Sequence, residues 1–396
     1  MNKINEEILS RGVASIYPSR EFLQTKLEKG EKLTIYLGID PTGPNLHLGH
    51  AIPVKKMSEF QKAGHKVILL LGDFTAMIGD PTDKSATRKQ LTKKEVLSNL
   101  KGYKKQLGKI ISFKGKNKAE LKFNSKWHSK MKFEQVLSLA SLMTVQQMLE
   151  RDMFKKRINE GKPIFIHEFL YPLMQAYDSV AMNVDGEIGG NDQTFNMLCG
   201  RDMIKNLKGK EKFVVTMKIL EDPNGKKMGK TEGNMVTISD KPEDMYGKVM
   251  SWTDEMISLS FELCTNVDME EVEKIKNNLK DKNVNFKEYK MRLAREIVAV
   301  FYDQKQAKLA EENWEKTFSK KEIPDDLEEI KIKKDDLLVD VFLKHKVISS
   351  KSDFRRLIEG GAIVKFLDNQ KITDYNQKAQ EGAYRVGKKR FIKIVF

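Results

Sequence analysis

The chain is poor in cysteine and in proline, with two cysteines and ten prolines in 396 residues. Cys199 and Cys264 have neither metal-ligand spacing nor the number needed for a disulfide framework, so both thiols are expected to be reduced and structural. No apolar run approaches the length that crosses a bilayer, and no internal repeat or low-complexity tract is visible. The opening MNKINEEILSRG carries acidic side chains and no apolar segment of signal-peptide type, so a cytoplasmic location without membrane contact is expected. No Ser/His/Asp or Cys/His arrangement marks an enzyme nucleophile. An acidic excess is missing too: 71 Lys and Arg against 56 Asp and Glu leave a formal charge of +15. That balance suits a polyanionic partner such as nucleic acid, although lysine-rich codon usage also produces it.

What is present is concentrated in YLGIDPTGPNLHLGH, Tyr36 to His50. Thr34 to Ile39 reads as a short apolar strand and Asp40 to Asn45 as a turn. Leu46 opens a helix, because Val54, Met57 and Phe60 recur at helical spacing. His47 and His50 then share one face of the first turn, where unpaired N–H groups and the positive end of the helix dipole attract phosphate. Gly49 opens the backbone to a flat ligand, and Pro53 near the helix start has no N–H to leave unpaired. Two surface histidines beside a turn are the alternative reading of so short a string.

Lys66 to Gly72, KVILLLG, is a continuous apolar run of the kind that forms a buried parallel strand. Strand, helix and strand make a βαβ unit, so the expected fold class is α/β. Residues 1–238 are read as a doubly wound, Rossmann-like parallel-sheet domain that binds ligands beyond the carboxyl ends of its strands. Residues 4 to 16 read as one amphipathic helix. The Gly-, Asp- and Thr-rich stretch from Gly72 to Lys89 holds Asp80, Lys84 and Arg88, and is either a solvated connection or a cationic flap over phosphates. Thr92 and Glu95 form a capping box that opens a helix to about Leu107. Short β-like pieces, KIISF and ELKF, precede Trp127. A long helix from Phe133 to Glu160 is rich enough in Leu, Val and Met to bury part of its surface, against a second subunit or within the chain.

The next helix, about Ile164 to Met182, is apolar nearly all round, yet Tyr171, Gln175 and Asp178 fall at i, i+4 and i+7. A polar stripe on a buried helix must find partners: a structural hydrogen-bond network, or a pocket for a small polar ligand. In EIGGNDQTFN, Gly189 and Gly190 let a ligand lie against the backbone, and Asp192 suits the two hydroxyls of a ribose. Lys212 to Met217 reads as another strand. Beyond it, in LEDPNGKKMGKTEGN, Lys227 and Lys230 flank Gly229 in a loop suited to a polyphosphate or to plain solvation. Residues 239–320 read as helical, with starts at Pro242 and Asp268 and an amphipathic segment from Phe286 to Phe301. Residues 321–335 read as a linker and 336–396 as a small α+β unit. There Lys351, Arg355, Arg356, Lys388, Lys389 and Arg390 form a basic face suited to RNA or to solubility alone.

With HLGH, GGNDQ and KMGKT in that order, and a small basic module at the end, the chain closely resembles the bacterial tyrosyl-tRNA synthetases over essentially its whole length. HLGH matches the HIGH signature of class I synthetases. KMGKT matches KMSKS, with Gly229 and Thr231 where serines are more usual. SSKSDFRRLIEGGAIV looks like the RNA-binding module named after ribosomal protein S-four. The resemblance implies that Tyr36 and Asp178 hold a tyrosine phenol and that Asp80, Tyr171 and Gln175 hold its ammonium group. It puts Asp40, Thr42 and Gln193 at the reacting end, and Gly38, Gly190 and Asp192 around adenine and ribose. His47, His50, Lys84, Arg88, Lys227 and Lys230 would surround the triphosphate, with Gly49, Met228 and Thr231 also touching ATP. It further implies L-tyrosine, ATP with magnesium as a substrate complex, and tRNA(Tyr) as partners. No protein-held metal or tightly bound cofactor is implied. A homodimer follows from the same resemblance, with an interface insertion in the catalytic domain, as does anticodon binding by the helical region. Asn191 and Glu187 depart from the family pattern, where Ser or Thr and, in some members, Gln stand. Tryptophanyl-tRNA synthetases share the fold and both signatures, but the Tyr36 and Asp178 pair and the terminal module favour tyrosine. A small-molecule nucleotidylyltransferase would not need KMGKT and an RNA module together, and a non-catalytic paralogue would be expected to have lost motif histidines or lysines.

Overall fold

The computed structural model describes residues 3–82, 90–221, 235–281, 284–316, 328–332, 336–365, 370–387 and 390–396, with Asp152 and Glu328 through their backbone alone. The chain divides into two compact units, Met1–Gln304 and Lys305–Phe396.

The first unit is built on a six-stranded sheet of β1 (Val13–Tyr17), β2 (Thr34–Ile39), β3 (Lys66–Leu71), β4 (Glu120–Phe123), β5 (Gly186–Gly190) and β6 (Phe213–Met217). Their spatial order is β1-β6-β5-β2-β3-β4. Strands β2 to β6 are mutually parallel, and β1 closes one edge antiparallel to β6. Val67 to Leu71 are all buried, as expected of a strand covered on both faces, where polar alternation is lost. From β2 the chain moves outward to β3 on one side and to β5 on the other. The crevice at such a reversal of strand order is where doubly wound sheets bind ligands. Three segments frame it: the turn after β2, the loop after β3 and the double glycine ending β5.

The helix Leu48–Lys62 returns from β2 with Leu48, Ile52, Val54, Met57 and Phe60 buried. The helix Ile166–Met182 leads into β5, and Thr194–Lys208 follows it. The stretch from Pro242 to Phe301 is helical and belongs to this first unit, with helices Pro242–Met250, Met256–Cys264, Met269–Asn278 and Phe286–Phe301.

Four local expectations are corrected. Residues 4–16 are not one helix: Gly12, with φ +66°, turns the chain from Lys3–Ser10 into the edge strand. The helix after Thr92 stops at Leu100, and Gly102 at φ +92° starts a second one, Tyr103–Leu107. KIISF forms no strand, whereas ELKF does. The long helix from Phe133 is three helices, Phe133–Ala140, Val145–Leu149 and Asp152–Asn159. Thr144 breaks the run because its hydroxyl accepts from Gln147 N while the Gln147 side chain accepts from Thr144 N, a reciprocal cap that opens a new helix.

The second unit carries helices Leu338–Lys344 and Lys351–Glu359 against a sheet of β7 (Glu328–Lys331), β8 (Ile363–Lys365), β9 (Gln370–Lys371), β10 (Gly382–Val386) and β11 (Arg390–Val395). Its order is β7-β11-β10-β8-β9. Leu338, Phe342, Phe354, Ile363, Tyr384, Ile392 and Ile394 form its own core. Strand β7 lies within the stretch read as a linker and pairs parallel with β11.

Candidate active site

A cavity of about 410 Å³ opens at the carboxyl ends of β2, β3, β5 and β6. Among the residues around it are Tyr36, Gly38, Asp40, Thr42, His47, Gly49, His50, Asp80, Tyr171, Gln175, Asp178, Gly190, Asp192 and Gln193. Lys84, Arg88, Lys227, Met228, Lys230 and Thr231 lie outside the described residues. The flanks of the second basic loop, Leu220 and Met235, both border the cavity. Immediately beyond, Val236 O accepts from Leu48 N at 3.1 Å and Ile238 N donates to Leu46 O at 2.8 Å, so residues 236–238 run antiparallel beside the histidine motif.

The two histidines form a reciprocal cap at the start of the helix, with His50 inside its first turn. His47 is the residue before its first turn, and its Nδ1 accepts from Gly49 N at 3.1 Å. His50 Nδ1 accepts from His47 N at 3.3 Å. Two of the amides that would otherwise await an anion are thus taken by the rings. In the neutral form each ring therefore carries its hydrogen on Nε2 as a donor. The ring centroids lie 4.0 Å apart. A Cβ at position 49 would stand 2.9 Å from the His47 ring, which is why a glycine sits between them.

The polar stripe of the helix Ile166–Met182 is spent on the cavity wall. Tyr171 donates its hydroxyl hydrogen to Asp40 Oδ2 at 2.9 Å, and Thr75 donates to Asp40 Oδ1 at 2.7 Å. Burial pushes the Asp40 carboxyl up to about 7, against the opposing pull of those two donors. Gly72 permits this arrangement, since a Cβ there would lie 1.9 Å from Asp40 Oδ1. Asp80 is held from both sides: Thr82 donates to Oδ1 through N and Oγ1, and Gln193 Nε2 donates to Oδ2 at 2.8 Å. Asp178 accepts from Trp127 Nε1 at 2.7 Å, from His128 Nε2 at 2.8 Å and from Asn124 Nδ2 at 3.3 Å. Burial raises its carboxyl above the usual carboxylate range, and the three donors oppose the rise. Tyr36 is fully buried on β2, with its hydroxyl 3.0 Å from Ser179 Oγ. Its phenol is pushed well above its ordinary value, first by burial and then by Glu187 and Asp178 nearby.

The cavity therefore offers a closed polar end, formed by Tyr36, Asp178 and Gln175, and a mouth carrying paired histidines and glycine backbone. Such a site fits a small molecule with a polar tip alongside a phosphate-bearing one. Residues 28–319 match the model of the family described as tRNA synthetases class I (W and Y). The tyrosine–tRNA ligase of Thermotoga maritima is 44% identical over 392 residues, spanning 98% of this chain and 96% of that protein. Tyrosine–tRNA ligase 2 of Clostridium acetobutylicum is 41% identical over 404 residues, the full length of both.

The chain belongs to the class I tyrosyl-tRNA synthetase family. A C-terminally truncated mitochondrial tyrosyl-tRNA synthetase from Aspergillus nidulans shares the fold, with a TM-score of 0.67 at 22% identity over 80% of this chain and 95% of that one. The sequence reading missed Thr75, which bonds the Asp40 carboxylate, and Asn124 and His128, which bond that of Asp178. Asn124 and His128 lie 54 and 50 residues before Asp178 in an irregular stretch, where no periodicity marks them.

The basic residues of the second unit are partly engaged. Lys351 Nζ lies 3.3 Å from Asp340, and Arg356 pairs with Asp353 at 2.7 Å. Arg390 donates to Lys346 O at 2.5 Å, and Arg355 stands over the Tyr375 ring at 5.9 Å. Lys388 and Lys389 lie outside the described residues. Among the described residues, no group of three or more His, Cys, Asp or Glu is arranged to hold a metal ion. Nor is any helix among them long and apolar enough to cross a membrane.

Proposed function

We propose that the chain is a tyrosine–tRNA ligase that activates L-tyrosine with ATP and passes the tyrosyl group to the 3′ end of tRNA(Tyr) in the cytoplasm. The observation that carries this reading is the meeting of Tyr36 and Asp178 with the His47 and His50 pair in one cavity. The phenol would sit between Tyr36 and Asp178, and the ammonium group among Asp80, Tyr171 and Gln175. The substrate's carboxylate attacks the α-phosphorus of ATP, the bond to the bridging oxygen breaks, and pyrophosphate leaves with the negative charge. No enzyme nucleophile takes part. His47 and His50 donate to phosphate oxygens through Nε2, joined by Lys84, Arg88, Lys227 and Lys230, with magnesium arriving as part of the ATP complex. Asp192 and Gly190 serve the ribose and adenine. The ribose hydroxyl of the tRNA terminus then attacks the tyrosyl carbonyl and AMP leaves.

Between residues 133 and 166, the side chains of Phe133, Leu137, Val145, Ile158, Phe165 and Ile166 are exposed, Phe133 at 76% and Ile166 at 81%. An apolar surface of this kind supports a homodimer formed through it. In the same reading the helices from Pro242 to Phe301 meet the anticodon, and the C-terminal unit adds RNA affinity.

Exchange of labelled pyrophosphate into ATP, run with each amino acid in turn, tests the activity. Tyrosine alone is expected to support it. Exchange with tryptophan in place of tyrosine would overturn the substrate assignment.

A further inference from the structure

The charged pair behind the amino-acid end of the cavity, Lys212 and Glu187, serves none of the steps above. Their side chains are 0% and 2% exposed. Gly200, on the helix Thr194–Lys208, makes room for them: a Cβ there would stand 2.6 Å from Lys212 Nζ and 2.9 Å from Ser179 Oγ. Taking two charges out of water is costly, and an apolar pair of the same volume is often as stable. What an apolar pair would not supply is a set of directed hydrogen bonds.

Lys212 Nζ donates to Glu187 Oε2 and, at 2.8 Å, to Ser179 Oγ. Ser179 Oγ lies 3.0 Å from Tyr36 Oη. Glu187 Oε1 accepts from Gln175 Nε2 at 3.1 Å. An ammonium group can only donate, so it fixes the direction of everything it touches. An amide that spends its NH2 on Glu187 keeps its oxygen as an acceptor, the polarity that a substrate ammonium requires.

We propose that Lys212 is a positioning residue for amino-acid recognition, holding Tyr36 through Ser179 and Gln175 through Glu187. The phenol end and the ammonium end of one substrate are thereby read by side chains anchored on the same buried charge. Without Lys212, Glu187 becomes a stranded anion and neither branch keeps its geometry. The inference rests on reading this cavity as the tyrosine site, which the unmodified enzyme tests separately: it must show tyrosine-dependent pyrophosphate exchange.

Two variants then test Lys212 itself. Lys212→Met combined with Glu187→Gln removes both charges without stranding either. Ser179→Ala keeps the ion pair and cuts only the branch to Tyr36. In the double variant the KM for tyrosine is expected to rise about 10-fold, the loss of roughly one hydrogen bond to a charged group, with the KM for ATP unchanged within about twofold. In Ser179→Ala the preference for tyrosine over phenylalanine is expected to fall by roughly 5-fold. An unchanged tyrosine KM in the double variant, or an equal rise for ATP, overturns the proposal. Ser179→Ala decides the matter alone if the double variant does not fold, and an undiminished preference there overturns it.

Discussion

Trp127 Nε1 donates to Asp178 Oδ1 at 2.7 Å across 51 residues of chain. With His128 on the same oxygen and Asn124 on the other, Asp178 is supplied with donors from one short segment after β4. Asp178→Ala is expected to abolish measurable tyrosine activation while leaving ATP binding nearly intact. Trp127→Phe removes one of three donors, so the KM for tyrosine should rise by roughly 3- to 10-fold, matching about 1 kcal/mol for a hydrogen bond. Steady-state pyrophosphate exchange measures both, and equal losses toward tyrosine and ATP would argue against the assigned pocket.

Asp40 sets a pH dependence of stability. Its carboxyl is pushed up to about 7 by burial, from an ordinary value of 3.8. Between those values the folded chain holds a proton that the unfolded chain has released. The stabilisation is therefore complete below the lower value and is lost as pH rises through the upper one. Asp40→Asn should remove about 1 kcal/mol per pH unit of that slope between pH 5 and 7. Urea titrations of both proteins across that range measure it, and parallel slopes would show that Asp40 is ionised throughout.

The central strands β2, β3 and β6 were legible in the sequence because burial on both faces writes a continuous apolar run, as in KVILLL, whereas the edge strand β1 was read as part of a helix. Tyr171, Gln175 and Asp178 were legible because a polar stripe on an otherwise apolar helix is conspicuous. The histidine cap was half legible: spacing placed both rings in the first turn, but not the exchange by which each ring takes a backbone N–H. Lys212 and Glu187 were not legible as a pair, since a charged residue at each of two strand starts looks solvated until the sheet brings them together. The break at Thr144 was missed because leucine and methionine continue on both sides of it.

The apolar surface on the helices after β4 bears on assembly. Among the described residues of the first unit, Phe133 and Ile166 are the most exposed large apolar side chains. Replacing both with Lys removes apolar area without disturbing a core, since neither side chain is buried. The double variant is expected to run as a monomer by sedimentation at concentrations where the unmodified chain is expected to run as a dimer. Identical sedimentation of the two would place the interface elsewhere.

Variants at the C-terminal arginines are expected to separate the two half-reactions. Arg355 and Arg356 lie on the exposed side of Lys351–Glu359, a helix whose Phe354 and Ile358 face the second unit's core, so charge reversal there costs little packing. Amino-acid activation needs no RNA, and its rate should be the same in Arg355→Glu/Arg356→Glu as in the unmodified enzyme. Tyrosylation of tRNA should instead show a raised KM for tRNA. The log–log salt dependence of tRNA binding should become shallower by about one unit for each phosphate that is no longer neutralised. Nitrocellulose binding at several salt concentrations reads this directly. A weaker affinity with an unaltered salt slope would mean that these arginines support the fold of the unit rather than touch the phosphate backbone.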